Sequence, residues 1–208
     1  MKTRQQSNKL PFTYENPIDY IFEEISYFLG PHFYKNKYTP NMITTLSFIF
    51  GFIAIYSLYH KKYILAALFH IISYLFDCLD GNYARTYNLE TKFGDLYDHL
   101  KDTIYAIVLA YVLIIRNNHN KKNKLIIYSI MIILIFISLI FFGCTEIYIS
   151  KYRKDLLHSN TLSTLSKMCP SKPTKFMNKF KYFSIGTLNL FVFIVILSFY
   201  FNEQTNTH

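Results

Sequence analysis

IIYSIMIILIFISLIFF, residues 126–142, carries no charge, and its only polar side chains are two serines and Tyr128. As an α-helix rising about 1.5 Å per residue, such a run approaches the thickness of a bilayer's hydrocarbon core, and it continues apolar over 125–149. It reads as a membrane span. The rest of the chain agrees: its 208 residues are 51% hydrophobic, 19% aromatic and 17% charged. That is too apolar for an ordinary soluble domain of this size, and it excludes a disordered or fibrous chain.

Working outward, the same pattern predicts spans at 43–59, 63–79, 94–115 and 183–201, five in all with 125–149. Thr39-Pro40 starts the first as cap and first-turn proline, and His60, Lys61 and Lys62 separate it from the second. Upstream, 16–30 reads as a short helix capped by Asn16, opened by Pro17, complemented by Asp19 and stopped by Gly30-Pro31. Ile18, Ile21, Phe22, Ile25 and Leu29 share one face, so this helix is expected on the membrane surface. The expected fold is all-α: a polytopic membrane helix bundle (39–208) behind a cytoplasmic N-terminus with an amphipathic surface helix (1–38). The basic stretch 150–182 cannot cross a bilayer; Leu156, Leu157, Leu162, Leu165 and Met168 suit a short interfacial helix at most. Residues 1–17 hold no apolar run of signal-peptide type, so no cleaved leader is expected. Cys78, Cys144 and Cys169 are odd in number and follow no CxxC spacing, which argues against a disulfide framework or a zinc site.

Twenty-two Lys and Arg against 13 Asp and Glu give a formal charge of +9. No basic run is long enough to suggest nucleic acid as a partner, so the excess is assigned to anionic lipid headgroups or to ordinary loop charge. Sixteen basic residues fall on the side of the N-terminus, the segment after the second span and the loop after the fourth, against six on the other. By the positive-inside rule the N-terminus and that segment are expected to be cytoplasmic.

The segment in question is DCLDGNYARTYNLETKFGDLYDHLKD, residues 77–102, which holds six of the 13 acidic residues. Ionised carboxylates at membrane depth cost several kcal/mol unless paired or hydrated, so such a cluster points to function. Asp77 and Asp80 are i, i+3 at the end of one helix and Asp98 and Asp102 are i, i+4 at the start of the next, so each pair shares a face. Four converging carboxylates would balance two divalent cations, and an all-oxygen site selects Mg²⁺ or Mn²⁺. Metal ions bridging a diphosphate neutralise charge at phosphorus and stabilise a leaving phosphate. Around them Gly81 allows close approach of backbone, Ala84 removes bulk, Arg85 offers a planar fork for phosphate, and Gly94 admits a flat ring or a neighbouring helix.

Asp77-x2-Asp80-Gly81-x2-Ala84-Arg85-x8-Gly94-x3-Asp98-x3-Asp102 resembles the signature of the class-I CDP-alcohol phosphatidyltransferases, with every spacing intact. Chance agreement at eight fixed positions is on the order of 10⁻⁸. The resemblance extends over about 16–115 and fades beyond. It implies transfer of a substituted phosphate from a CDP-alcohol donor to an acceptor alcohol, giving a phospholipid and CMP. It further implies Asp77, Asp80, Asp98 and Asp102 as metal ligands, Asp102 also as general base, and Gly81, Ala84, Arg85 and Gly94 as the positions cradling CDP. A base must reach the acceptor proton without being held ionised by both metals, and Asp102, one turn deeper, suits that best. Glu90 and Asp95 lie outside the signature and read as solvated charges. Members of this family usually have six core spans and work as homodimers, so a homodimer is implied, although five spans are read here.

The small chain resembles members that use CDP-diacylglycerol with a polar acceptor such as inositol, glycerol phosphate or serine, and that is the leading expectation. His99 directly after Asp98 instead resembles the Asp-His step of choline and ethanolamine phosphotransferases, which use a CDP-amino-alcohol and diacylglycerol. Readings of other classes are a cation transporter, which leaves Gly81, Ala84 and Arg85 without a role, and a non-catalytic membrane scaffold. His60 and His70 lack spaced partner ligands and read as structural.

Overall fold

The computed structural model describes residues 2–157, 159 and 163–205, and they are helical with short connections. In chain order the helices are α1 (Arg4–Ser7), α2 (Pro17–Lys35), α3 (Pro40–Tyr59), α4 (Tyr63–Tyr87), α5 (Lys92–Arg116), α6 (Lys121–Tyr152), α7 (Pro173–Phe180) and α8 (Ile185–Thr205). Four segments are long and apolar enough to cross a membrane: α3, α4, α6 and Pro173–Thr205, which ends in α8. The fifth expected span, α5, is 25 residues long but begins with Lys92, Asp95, Asp98, Lys101 and Asp102, a charge density that sets it apart from the other four. No sixth span occurs among the described residues.

The expected caps form. Asn16 accepts from the Ile18 amide at 2.8 Å, and its own amide donates to the Lys181 carbonyl and the Thr187 hydroxyl, tying the start of α2 to that of α8. Thr39 caps α3, and Thr91, which the sequence reading did not single out, caps α5. Two expected helix ends move. Gly30-Pro31 does not stop α2, which runs on to Lys35 with Pro31 inside it. Only one turn follows the proline, so few backbone bonds are at stake, and Gly30 is buried against Tyr83 and Tyr87 of α4. The second span does not end at 79 either: α4 continues to Tyr87 and closes on Asn88 in the left-handed conformation. Gly81, Ala84 and Arg85 therefore stand on the same helix as Asp77 and Asp80.

The helices alternate in direction, which gives the bundle two different ends. At one, Ile55 and Leu58 of α3, Ala66 of α4, Leu113 of α5 and Ile196 and Phe199 of α8 pack as one apolar cluster. Halfway along, Ser47 and Ser73 each donate to the other's carbonyl at 2.9 Å, stitching α3 to α4 through small side chains. The other end carries the 77–102 segment, covered by α1 and α2. α6 is mostly exposed along its first half and buried toward its C-terminal end, where a Cβ at Gly143 would overlap the Leu165 carbonyl. That close approach packs the 3₁₀ turn Ser163–Met168 onto α6. Part of the expected interfacial helix is this turn, and Leu162 lies outside the described residues. The cysteine expectation is corrected here: Cys144 of α6 and Cys169 after the turn form a disulfide across 25 residues, leaving Cys78 free. The chain reversal at the turn brings together two cysteines whose spacing alone suggested nothing.

Candidate active site

α4 delivers Asp77 and Asp80 from successive turns, and α5 delivers Asp98 and Asp102 from its second and third. Carboxylate oxygens of Asp77, Asp80 and Asp98 lie within 4.8 Å of one another, and Asp98, His99 and Asp102 form a second such group sharing Asp98. The four expected ligands thus converge from two helices. Asp80 is 5% exposed, and its Oδ2 is buried without a hydrogen-bond partner. An orphaned carboxylate oxygen amid further carboxylates is the donor set a hard divalent cation requires, so the site fits such an ion.

The sequence reading passed over one participant. Lys101, counted there only among the sixteen basic residues of one side, is 4% exposed and turns its ammonium into the cluster. It pairs with Asp77, with Asp98 at 3.1 Å and with Asp102 at 2.9 Å. A lone buried ammonium would be strongly disfavoured, so the carboxylates are what allow it here. Its position within the Asp98-x3-Asp102 interval, one residue before Asp102, was the available signal. The hydroxyl of Ser47 on α3 lies 3.4 Å from the same ammonium.

A cavity of about 690 Å³ opens over these groups. Asp77, Asp80, Asp98, Asp102, Gly81 and Arg85 line it; Ala84 and Gly94 do not. Gly94 sits instead where a Cβ would press on the side chains of Thr91 and Asn41, so its smallness serves the junction between the starts of α3 and α5. Arg85 is buried and already engaged: Nε donates to the Ser7 carbonyl and Nη2 reaches Glu23 Oε1 at 3.3 Å. His99 lies 3.2 Å from both Asp95 and Ser159 at the cavity rim. His70, read as structural, is held between Tyr105 at 2.8 Å and the Asn189 carbonyl at 3.2 Å.

Away from the aspartates the cavity changes character. Toward the middle of the bundle its walls are Leu109, Leu113, Met131, Ile135 and Val192, from α5, α6 and α8. Toward the N-terminal segment they are Glu15, Asp19 and Glu23. Asp19 accepts from the Tyr74 hydroxyl and from the Gly186 amide at the start of α8. Burial raises its carboxyl to about 7. Burial raises Glu15 further, to about 9, with the neighbouring Glu23 charge acting in the same direction.

A membrane helix bundle that gathers four aspartates, a cation-competent oxygen and an arginine around a part-apolar cavity defines a membrane enzyme of phosphate chemistry. Residues 37–205 match the CDP-alcohol phosphatidyltransferase family, and the chain belongs to that family. No curated protein and no solved structure matches it. The family makes it an integral membrane transferase of substituted phosphate groups in phospholipid biosynthesis, taking a CDP-alcohol donor and an alcohol acceptor.

Proposed function

We propose that this chain transfers a substituted phosphate from its CDP-alcohol to the acceptor hydroxyl, releasing CMP, at a site where Asp77, Asp80, Asp98 and Asp102 hold two Mg²⁺ or Mn²⁺ ions. The observation that carries this reading is the meeting of Asp77, Asp80 and Asp98 from two helices around an unsatisfied Asp80 oxygen. Bound there, the ions would supply charge neutralisation at the diphosphate and at the departing CMP. Asp102 takes the acceptor proton: its side chain is 46% exposed, against 28% for Asp98, and so has the freer access to the cavity. Lys101 holds the carboxylates together by neutralising part of their mutual repulsion. Gly81 leaves room for backbone to approach the nucleotide, and Arg85, anchored by Ser7 and Glu23, presents positive charge to its phosphates. The apolar arm of the cavity takes the acyl chains of whichever substrate is the lipid. The N-terminus and the site face the cytoplasm, as the distribution of basic residues favours.

CDP-diacylglycerol with a polar acceptor is the first donor reading, on the small size of the chain. A second, CDP-amino-alcohol with diacylglycerol, is favoured by His99 at the rim and by the acidic wall beside the aspartates. Purified protein in mixed micelles with Mg²⁺ or Mn²⁺ is offered CDP-diacylglycerol with inositol, serine or glycerol phosphate, and separately CDP-choline or CDP-ethanolamine with diacylglycerol. CMP release in either mixture, lost in Asp98→Ala with the protein still folded, is expected. Turnover near wild type in Asp98→Ala would sink the assignment.

A further inference from the structure

Two arginines hold the N-terminal segment across the site by gripping three successive carbonyls. Residues 2–16 precede the family match, which begins at residue 37, yet Lys9, Leu10 and Glu15 line the cavity and Ser7 is fully buried. α1 ends at Ser7, and carbonyls at a helix C-terminus have no partner along the helix. Arg153, just after α6, donates to the Gln6 carbonyl through Nη2 and to the Asn8 carbonyl through Nη1, each at 2.6 Å. Arg85 takes the Ser7 carbonyl between them through Nε. Asp155 orients Arg153, its two oxygens accepting from Nε and Nη2 at 3.0 Å. Those bonds hold the Asp155 carboxyl below its usual range, so the pair is ionic at neutral pH. The segment is also tied on either side of the grip. The Lys2 amide donates to the Thr86 carbonyl of α4 at 2.9 Å, and Leu10 is buried with Phe141, Cys144 and Met177.

The consequence falls on Arg85. Its side chain is 6% exposed, and protein groups take two of its three nitrogens, Ser7 at Nε and Glu23 at Nη2. Nη1 has no partner among the described residues and lies beside Gly81, where an added Cβ would come within 3.1 Å of it. Both residues line the cavity. A guanidinium is a rigid plane, so fixing Nε and Nη2 fixes where Nη1 points. An arginine already held in place loses little rotamer freedom when a phosphate arrives. We propose that residues 2–16 form a positioning strap: Arg153 and Asp155 latch it, its Ser7 carbonyl sets the Arg85 fork, and the latch thereby tightens binding of the donor's diphosphate. The proposal rests on the transferase reading above, in which Arg85 meets those phosphates. Arg153 and Asp155 are positioning residues in it and act through Arg85.

The test is binding of CDP, which carries the diphosphate without an alcohol to transfer, to the full chain in detergent with Mg²⁺ or Mn²⁺. Arg153→Gln is expected to raise the Kd about tenfold, the size of one charge-assisted hydrogen bond. Arg153→Lys, which keeps the charge and loses the fork, is expected to recover only part of that loss. Asp155 is half exposed, so Asp155→Asn leaves the fold in place, and it is expected to raise the Kd about threefold. It decides the matter alone if Arg153→Gln does not fold. Arg85→Lys removes the Nε that Ser7 holds and keeps a positive charge. In that background Arg153→Gln is expected to change the Kd by no more than about twofold, because its route to the phosphates is already cut. The same tenfold loss in both backgrounds would show that Arg153 supports the fold at large, and overturns the strap. An unaltered Kd in Arg153→Gln and Asp155→Asn overturns it too, as does full recovery by Arg153→Lys, and each leaves the transferase standing. Absence of CDP binding by the wild type refutes the nucleotide reading, and the strap with it.

Discussion

The two halves of α4 are held in place by different physics. Its first turns put Tyr63, Ala66 and Ala67 into a cluster with Leu58, Leu113, Ile196 and Phe199, where any well-shaped apolar neighbour would serve. Its last turns put Asp77, Asp80 and Arg85 among charges, where each contact is to one named partner: Lys101 for Asp77, Glu23 and Ser7 for Arg85. In a bilayer the first kind of contact gains little over contact with lipid, because lipid tails are as apolar as leucine. The second kind has no substitute in lipid, so removing one partner strands the other. The apolar end should therefore tolerate change in proportion to volume lost, and the polar end should fail pair by pair.

The sharpest break is Asp102→Asn, which keeps shape and removes the base. CMP release is expected to fall by about 10²–10⁴-fold, the usual contribution of general base catalysis, with the protein still folded in detergent because Lys101 keeps Asp77 and Asp98 as partners. Next is Lys101→Gln. In EDTA it strands the three carboxylates of Asp77, Asp98 and Asp102, and the expected loss of stability is about 3–5 kcal/mol. Mg²⁺ or Mn²⁺ should restore most of that loss if the carboxylates bind it; a melt with the same deficit in metal and in EDTA would show that Lys101 compensates something else. At the apolar end, Leu58→Ala is expected to cost about 2 kcal/mol, the low end for a large-to-small change. The low figure reflects the weak transfer term within lipid, and turnover per folded molecule should be unchanged. A loss of catalysis there would mean that the two ends are not separate.

The most gradual effect concerns the acidic wall and pH. In the absence of substrate Glu15 is raised from 4.5 to about 9, so the fold accepts its neutral form. Its contribution to stability is complete below pH 4.5 and is lost as pH rises through about 9. The wild-type stability should therefore decline between pH 6 and 9, by at most about 1.4 kcal/mol per pH unit for one proton, and the melting temperature with it. Glu15→Gln should flatten that decline. An equal slope in both proteins would assign it to another group.

Much of this molecule is legible in one dimension because the features are local. Runs such as 126–142 declare spans by length alone, Asn16 and Thr39 cap the helices that follow them, and the spacing of Asp77, Asp80, Asp98 and Asp102 places each pair on one helix face. The ends of α2 and α4 differ from the local signals: Gly30-Pro31 is carried through where Gly30 packs on α4, and α4 runs past 79 to close on Asn88 in the left-handed conformation. Cys144 and Cys169 looked inert because only the turn between them creates their meeting.

By itself, then, the sequence determined a helical membrane protein bearing the acid pattern of phosphate transfer, since hydrophobic length and residue spacing are properties of a single helix. The tertiary structure alone decided which charges are neutralised and which are left open. Lys101 reaches Asp77 across 24 residues and Arg85 reaches Glu23 across 62, while Asp80 keeps a buried oxygen without a partner. Burial and pairing depend on what other segments bring to the same place, which no single helix can specify.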